Sequence, residues 1–486
     1  MFKPTQEQIE IVDAFSKNKI IKVNSIAGSG KTSTLLLLAA ENVVPSLYLA
    51  FNKSVQLEAA EKFPGHVECR TINSLAYADF GIKLMHKMRA NRPKTKHYVN
   101  TCSTLKEIVN FFKIDDYALS DPPIPAKTVA GLVKDSLNRY QLSDIQTIGT
   151  EVIPIGEIKR LEKSHKFDSK HLALAIIGYA RKLWNERINP KSDASVTHDT
   201  FLKLWSLSNP KLNCEILYVD EAQDTNPAVF HVLRQQKHCK ICYVGDTYQS
   251  IYAFRGAINA MEEIKAPTYY LTQSWRYGKE VANAAQFVVG DAITVKGNPS
   301  TNSKVVDELP DSTKVTIIFR TNACLLDEAH RLLAEGIPVN IEIDIKVFID
   351  KIRSIIALKN KDYKNVKNQE IAKFSSYYDL LEFSKEDHDT KMLIKRATSD
   401  DIEDFLLKIS TSCSSETSDV ILTTAHKSKG REWNNVIIYS DFKFNDDSYY
   451  PLKDMPQQEI NLLYVAITRA KKNLVLPEQI ANYKDL

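Results

Sequence analysis

A glycine-rich turn near the amino terminus has the residue types that bind phosphate. The stretch NSIAGSGKTS (residues 24–33) follows the β-branched run IIKV and precedes a helical pattern, so backbone N–H groups and the helix amino end converge on anionic oxygens. Lys31 is then placed to neutralise β- and γ-phosphate charge, and Thr32 to ligate Mg²⁺. The strict G-x-x-x-x-G-K-[ST] pattern has glycine where this chain has Ser25, and a structural turn is the competing interpretation. The predicted phosphate-binding residues are Ala27, Gly28, Ser29, Gly30, Lys31, Thr32 and Ser33.

Two adjacent carboxylates follow a second hydrophobic run. In ILYVDEAQD (216–224), the strand pattern ends at Asp220, which can bind Mg²⁺ through its hydration shell. Glu221 can orient or deprotonate an attacking water. A D-E pair after a strand is, by itself, equally typical of a solvated turn. Together with the phosphate loop, the pair predicts a nucleoside triphosphatase.

Two sets of alternating strand and helix patterns must position these residues. The first set includes IIKVNS, SLYLAF, EILYVDEAQD and ICYVGD, and the second includes KVTIIFR, DVILTTA and NVIIYS. Such alternation is typical of βαβ units on a parallel sheet. Residues 81–200 have helical periodicities without obvious core strands, and residues 340–418 are mixed and charged. We therefore predict an α/β chain with two parallel-sheet domains and a helical insertion in the first.

Composition limits the class of protein and the way in which it holds a polyanion. The 486 residues are 43% hydrophobic and 26% charged, which excludes wholesale disorder and a fibrous architecture. The net charge is only +4, so a polyanion must be bound in a local groove and not by a general basic field. The C-x-x-C pair at Cys239 and Cys242 has no second pair, and we interpret it as strand packing instead of a zinc or redox site.

The sequence also predicts where the protein is found. It has no apolar run of about 20 residues, and the amino terminus is polar where a secretory signal has an apolar core. We expect no membrane association and a cytoplasmic protein, or one of the host cytoplasm if the source is viral, with the nucleus left open. The last motif lies close to Leu486, so we expect no fused nuclease.

Five ordered segments resemble the motifs of superfamily 1 DNA helicases of the UvrD/Rep/PcrA type. They are AGSGKT (27–32), VDEAQD (219–224), VGDTYQSIYAFRGA (244–257), TTAHKSKGREW (423–433) and LLYVAITRAKKNL (462–474). The third and last are much more specific than a lone phosphate loop. The resemblance implies two RecA-like domains, ATP and Mg²⁺ as cofactors, and single-stranded DNA and single-strand/duplex junctions as partners. It implies residues 1–80 and 201–267 for the first domain, 81–200 for its insertion, 268–339 and 419–486 for the second domain, and 340–418 for a reduced insertion.

The same resemblance implies roles around the nucleotide. Gln8 corresponds to a glutamine that reads the adenine edge, with Gln6 as a competing register. Trp275 lies where the family has a tyrosine stacked on adenine. Arg469 corresponds to an arginine finger supplied by the second domain, with an interdomain salt bridge as the alternative. The remaining implied nucleotide contacts are Gln249 and Arg276 at the γ-phosphate, and Glu432.

DNA-binding residues are implied in the same way. Tyr252 and Phe254 match base-stacking positions, and Arg255 lies beside them. The usual phenylalanine of the first strand-binding motif is replaced by Ala50, with Phe51 one place on, so base stacking there is in doubt. The basic run 83–97 is either a duplex-gripping surface or a solvated one. Implied backbone contacts are Asn52, Lys53, Thr71, Ser74, His426 and Lys429.

The interpretation that this reasoning favours is an ATP-dependent helicase that translocates on single-stranded DNA, with 3′-to-5′ polarity implied by the resemblance alone. One alternative is a translocase that displaces proteins or remodels joints without processive unwinding. Another is a nucleotide-gated DNA clamp that hardly turns over. Glu221 and Arg469 favour turnover over the clamp.

Overall fold

The computed structural model describes residues 3–88, 100–253, 256, 258–310, 313–411, 418–444 and 452–483. Phe254, Arg255 and most of the predicted basic run therefore lie outside the described residues. The strands are β1 (Ile20–Ser25), β2 (Ser46–Ala50), β3 (Val67–Thr71), β4 (Ser120–Asp121), β5 (Lys166–Phe167), β6 (Ile216–Val219), β7 (Lys240–Gly245), β8 (Thr268–Leu271), β9 (Lys304–Val305), β10 (Val315–Phe319), β11 (Val339–Ile341), β12 (Val420–Thr424), β13 (Trp433–Ile438) and β14 (Ala470–Val475).

The α-helices lie between these strands and in two insertions. In the first half they are α1 (Gln6–Lys17), α2 (Lys31–Glu41), α3 (Lys53–Lys62), α4 (Ile72–Ala76), α5 (Ile82–Leu84), α6 (Leu105–Phe112), α7 (Ala126–Leu142), α8 (Ile155–Leu161), α9 (Ser169–Ile188), α10 (His198–Leu207), α11 (Pro227–Gln235) and α12 (Ala260–Glu263). In the second half they are α13 (Lys279–Val289), α14 (Asn322–Ala334), α15 (Ile345–Lys359), α16 (Gln369–Ala372), α17 (Tyr377–Ser384), α18 (His388–Ala397), α19 (Ile402–Thr411), α20 (Ala425–Ser428), α21 (Gln457–Ile467) and α22 (Glu478–Ala481).

The first parallel sheet has the strand order β3-β2-β6-β7-β1-β8. Strands β2 and β6 are buried along their whole length, in agreement with their continuous apolar runs. One face is covered by α1, α2 and α3 through residues such as Phe15 and Leu35. The other face is covered by α10 and α11 through residues such as Phe201 and Phe230. A parallel sheet needs both covers because its two faces are apolar.

The first sheet contains one strand that the sequence analysis assigned to the second half. Residues 268–271 were placed in the second domain, but β8 pairs in parallel with β1, from Lys22↔Thr268 to Ser25↔Leu271. The Glu7 carboxylate on α1 then accepts a hydrogen bond from the N–H of Thr272 at 3.0 Å. The chain therefore leaves the first sheet after Leu271.

The second parallel sheet has the strand order β11-β12-β10-β13-β14-β9. Helices α13 and α21 cover one face, and α14 and α15 cover the other. The apolar core under α13 and α21 also includes Ile26 and Ala27 of the phosphate loop, so the two halves share packing at the loop. The predicted α/β architecture with two parallel-sheet domains is confirmed.

The two insertions are helical. Helices α6 to α9 enclose a separate apolar core that includes Leu137 and Trp184. Helices α15 to α19 share a core with the second sheet. Cys242 is buried within β7, while the sulfur of Cys239, just before β7, lies 3.6 Å from that of Cys214. None of the described helices combines the length and the apolarity that a bilayer span requires.

Candidate nucleotide-binding cleft

The phosphate loop connects β1 to α2 and needs its glycines. Gly28 and Gly30 have φ of +75° and +85°, in the left-handed region that glycine adopts without strain. A Cβ at Gly28 would lie 2.8 Å from the Cβ of Arg276, so a side chain does not fit there. Ser25, which departs from the strict pattern, is buried and donates its hydroxyl to the Gly245 carbonyl at 2.8 Å. The serine thus ties β1 to the end of β7.

Lys31 begins α2, and its ammonium faces a group of carboxylates. Its Nζ lies 3.0 Å from the Glu221 carboxylate. Burial alone would lower the pKa of Lys31, but the charges of Glu221, Asp220 and Asp246 outweigh it and raise that pKa. Three carboxylates around one ammonium leave an excess of negative charge.

The acidic pair at the end of β6 is held by neighbours that the sequence analysis missed. The Tyr48 hydroxyl donates to the Asp220 carboxylate at 2.6 Å, and the Gln223 side-chain amide donates to Glu221 at 2.6 Å. Glu221 itself has a φ of +50°, a conformation that a non-glycine residue adopts at a cost of order 1–3 kcal/mol. Burial raises the pKa of Asp220, whereas Lys31 overcomes the burial of Glu221 and lowers its pKa. Of the two, Glu221 is therefore the readily ionised carboxylate.

The donor set at the loop fits a magnesium ion. The Thr32 hydroxyl at the start of α2 and the Asp220 carboxylate at the end of β6 are hard oxygen ligands, the class that Mg²⁺ prefers. Burial also raises the pKa of Asp246, the third carboxylate near Lys31. In the described part of the chain, no cluster of three His, Cys, Asp or Glu side chains forms a metal site.

The Asp246 carboxylate follows β7 and organises the next turn. It accepts a hydrogen bond from the Tyr248 N–H at 3.1 Å and one from the Gln249 side-chain amide at 2.6 Å. Gln249 is buried. The predicted γ-phosphate glutamine therefore lies at the start of the segment that leads to Tyr252.

Gln8, and not Gln6, faces the loop. Gln8 is 1% exposed, and its side chain accepts from the Thr5 N–H at 3.0 Å and donates to the Thr34 hydroxyl at 3.1 Å. Gln6 is exposed and donates to Glu10. A Cβ at Gly30 would lie 3.7 Å from Gln8 Nε2 and 3.9 Å from Trp275 Cδ1, so Gln8 and Trp275 flank the loop. Trp275 is 46% exposed and presents a free surface for stacking.

Arg276 pairs with groups of the second domain. Its Nε donates to the Glu432 carboxylate at 2.7 Å, and its Nη1 donates to the Thr468 carbonyl at 3.1 Å. Lys471 lies 3.3 Å from the same carboxylate. Burial opposes the ionisation of Glu432, but the charge of Arg276 outweighs it and lowers the pKa of Glu432. Arg276 and Glu432 thus form an ion pair of the second domain, beside the phosphate loop on which Arg276 packs at Gly28.

Arg469 is buried within its own domain. Its guanidinium donates to the carbonyls of Val465 and Arg431 and to the Thr468 hydroxyl, at 2.8, 3.2 and 2.9 Å. These partners differ from the interdomain salt bridge that was the alternative for this residue. Burial lowers the pKa of Arg469 to about 9.

Arg469 and Lys31 both interact electrostatically with the Asp246 carboxylate. The Asp246 charge opposes the lowering of the Arg469 pKa by burial and contributes to the raised pKa of Lys31. Asp246 itself follows β7 of the first sheet. The hydrogen bonds of Arg469 are directed into its own domain, and its role as an arginine finger stays a prediction.

An aromatic pair lies at the DNA-binding motifs. The rings of Phe51 and Tyr252 are stacked, with centroids 5.7 Å apart and an interplanar angle of 9°. Phe51 is 42% exposed, while Ala50, in the family's phenylalanine position, is buried. The exposed aromatic is therefore retained one residue later, a possibility that the sequence analysis left in doubt. Phe254 and Arg255 lie outside the described residues.

Other predicted DNA contacts lie at the carboxyl ends of the strands. Asn52 and Thr71 are helix N-caps, accepting the N–H groups of Val55 and Ser74 at 2.9 and 3.1 Å. Lys53 is exposed and begins α3. These caps shape the backbone at the edge of the first sheet. His426 is half-buried on α20 of the second domain, following β12.

Lys429, predicted to contact the DNA backbone, is held by groups of the protein itself. Its ammonium lies 2.5 Å from the Asp224 carboxylate and donates to the Gln249 carbonyl at 2.6 Å. Both side chains of the ion pair are buried. Burial raises the pKa of Asp224 to about 6 even though Lys429 opposes this rise. Lys429 therefore links the two domains next to Tyr252, and its Nζ lies 5.0 Å from the centroid of the Tyr252 ring.

Comparison with known proteins identifies two matching domain families. Residues 155–266 match the UvrD/REP helicase N-terminal domain, and residues 341–478 match the UvrD-like helicase C-terminal domain. Together these matches cover about half of the chain. The order of the two domains is that of the two halves described above.

Similar proteins are also found along the whole chain. F-box DNA helicase protein 1 of Schizosaccharomyces pombe is 31% identical, over 98% of this chain and 57% of its own length. F-box DNA helicase 1 of Gallus gallus is 28% identical, over 98% of this chain and 49% of its own. ATP-dependent DNA helicase PcrA of Staphylococcus epidermidis is 29% identical over 36% of this chain and 26% of its own length. The chain thus spans about half the length of the F-box helicases.

Proposed function

Because the chain belongs to the UvrD/Rep-type helicases of superfamily 1, we propose that it is an ATP-dependent DNA helicase. It moves 3′-to-5′ on single-stranded DNA, acts at single-strand/duplex junctions and couples Mg²⁺-dependent ATP hydrolysis to unwinding. The observation that carries the proposal is the Lys31–Glu221 ion pair at 3.0 Å, where the phosphate loop meets the acidic pair at the end of β6. This arrangement is what transfer of a phosphoryl group to water requires.

Each residue of the cleft has one task in this proposal. Lys31 leaves the Glu221 carboxylate and binds phosphate oxygens of ATP, while Thr32 and Asp220 hold Mg²⁺, which offsets phosphate charge when bound. Once Lys31 has left it, the Glu221 carboxylate is free to orient water and accept its proton. Trp275 stacks on the adenine.

Closure of the two domains completes the site. The Lys429–Asp224 ion pair already joins the halves, and Arg469 turns from its own carbonyls toward the phosphate as the finger. Hydrolysis then depends on the distance between the domains, because transition-state charge is stabilised only when they meet. We propose the division into two RecA-like domains given above, with the first extended to Leu271.

Single-stranded DNA lies across the carboxyl ends of the strands in this proposal. Phe51 and Tyr252 form the base platform, and Asn52, Lys53, Thr71, Ser74 and His426 are near the backbone of the strand. Stacked bases and a backbone-binding surface are the usual means of holding a single strand without sequence preference. Movement of this surface with each closure is the translocation step.

The proposal is tested by ATP hydrolysis with and without single-stranded DNA, and by unwinding of 3′-tailed and 5′-tailed duplexes. We expect DNA to stimulate hydrolysis and only the 3′-tailed duplex to open. Lys31→Ala abolishes turnover, Glu221→Gln binds ATP without hydrolysing it, and the exposed Lys17→Ala is the matched control. If DNA stimulates hydrolysis and the protein translocates without unwinding, the chain is a translocase. If ATP binds but is not hydrolysed in a single turnover, the chain is a nucleotide-gated clamp.

A further inference from the structure

One tyrosine of the second domain reaches into the first. Tyr464 lies on α21, and its side chain is fully buried. Its hydroxyl accepts a hydrogen bond from the Ala27 N–H of the phosphate loop at 3.0 Å. The same hydroxyl donates to Asp246 Oδ2 at 3.3 Å. A single O–H group therefore joins the loop, the end of β7 and the second domain.

The carboxylate that Tyr464 contacts belongs to the segment leading to the aromatic pair. Asp246 Oδ2 also accepts the Gln249 amide at 2.6 Å, and Tyr252 follows three residues later. One turn before Tyr464 on the same helix, Asn461 donates its side-chain amide to the Ser250 carbonyl at 2.8 Å, and this bond is buried. Helix α21 thus holds residues 246–252 at two points and the phosphate loop at one.

We propose that Tyr464 is a positioning residue that couples DNA binding at the Phe51–Tyr252 pair to the geometry of the phosphate loop. The proposal rests on the proposed function. When a base stacks on Tyr252 and displaces residues 246–252, the shared hydroxyl transmits the displacement to Ala27, because both partners bind the same oxygen. Because the side chain is buried on all sides, the hydroxyl cannot swing away from either partner.

The coupling requires a protonated hydroxyl. Burial raises the pKa of Tyr464 well above its ordinary value, and the Asp246 charge adds to the rise. Tyr464 is therefore protonated, and a donor to Asp246, at neutral pH. A phenylalanine retains the ring and removes only the two hydrogen bonds.

The test compares Tyr464→Phe with Tyr483→Phe. Tyr483 contributes to the same apolar core, but its hydroxyl donates to the Glu280 carbonyl at 3.2 Å, away from the phosphate loop. The measured quantity is the ratio of ATP turnover with saturating oligo-dT to turnover without it. We expect the ratio to fall about tenfold in Tyr464→Phe, since buried partners lose their hydrogen bond, and to stay at the wild-type value in Tyr483→Phe. The Kd for oligo-dT without nucleotide stays within about twofold of wild type, because the platform is intact.

Other outcomes are equally decisive. A wild-type protein without DNA stimulation refutes the proposed function itself. If the wild type is stimulated and Tyr464→Phe keeps the ratio, or loses both turnover rates in equal proportion, the coupling role is wrong. If Tyr464→Phe does not fold, Asn461→Leu replaces it, because it releases the second contact on the same segment. A folded Asn461→Leu variant with the full wild-type ratio then overturns the proposal.

Discussion

Replacing Lys429 by methionine tests whether this lysine joins the domains or binds DNA. Methionine keeps an unbranched side chain and removes the charge, which leaves the Asp224 carboxylate buried without its ion-pair partner. Breaking a buried pair in this way costs about 3–5 kcal/mol of unfolding free energy. Because Lys429 retains 8% exposure, we expect a loss near the lower end, about 3 kcal/mol at neutral pH.

The loss depends on pH with a definite sign. The pKa of Asp224 is raised to about 6 in the folded protein, above its ordinary value of 3.8, so ionised Asp224 destabilises the fold above pH 6. In Lys429→Met that pKa rises further, because the opposing charge is gone. At about pH 5 the carboxylate is protonated in the variant, and the difference from wild type shrinks.

Denaturant unfolding at neutral pH and at about pH 5 measures both effects. Asp224→Asn and the double variant complete a cycle in which the double variant is more stable than Lys429→Met alone. The reasoning is refuted if Lys429→Met costs less than about 0.5 kcal/mol at neutral pH, or the same at both pH values. If Lys429→Met has wild-type stability but binds DNA more weakly, and the slope of log K for DNA against log salt concentration falls by about 1, Lys429 would instead be assigned to the DNA backbone.

Two further predictions concern the loop and the platform. Gly28→Ala places a Cβ 2.8 Å from the Arg276 Cβ, and we expect it to weaken binding of a fluorescent ATP analogue more than tenfold. The control is Gly336→Ala, because Gly336 also has a positive φ, +78°, but a Cβ there meets no atom within 4 Å. This control leaves the binding of the analogue unchanged. Equal binding by the two variants would mean that the loop tolerates a side chain. Phe51→Ala raises the Kd for oligo-dT by about 5- to 100-fold, in line with roughly 1–3 kcal/mol per stacked base, and an unchanged fluorescence anisotropy titration would remove Phe51 from the platform.

The sequence was sufficient for the features that depend on local pattern. Apolar runs predicted the four central strands of the first sheet and β10, β12 and β13 of the second, because strands buried on both faces must be continuously apolar. The order of strand, turn and helix likewise predicted the phosphate loop. Gly28 and Gly30 in that loop have the left-handed backbone that such a glycine turn requires. The edge strand β8 was assigned to the wrong half, since an edge strand with half-exposed residues has no pattern that reveals its partner.

Side-chain partners across the cleft were beyond the reach of the sequence. Lys429 and Asp224 are 205 positions apart, and nothing local distinguishes a lysine that binds phosphate from one that is buried against a carboxylate. The same holds for Tyr464 and Ala27, which meet only after both sheets have formed. Phe51 was recognised in the sequence as the aromatic one place beyond Ala50, but not its exposure, because that depends on the bend after β2, which turns its side chain outward.

The two halves are joined at a second place, and this bears on how the cleft can move. Arg160 of the first insertion forms buried ion pairs with Glu157 and with Asp379 of the second insertion. The two insertions can approach closely there because residue 131 is a glycine. A Cβ at Gly131 would lie 2.9 Å from the Cβ of Lys373 in the second insertion. A change in the angle between the sheets must therefore rearrange this contact as well as the cleft. Because a large change of this angle would separate the buried Arg160–Asp379 pair, the insertions resist large opening and favour small movements about the arrangement described here.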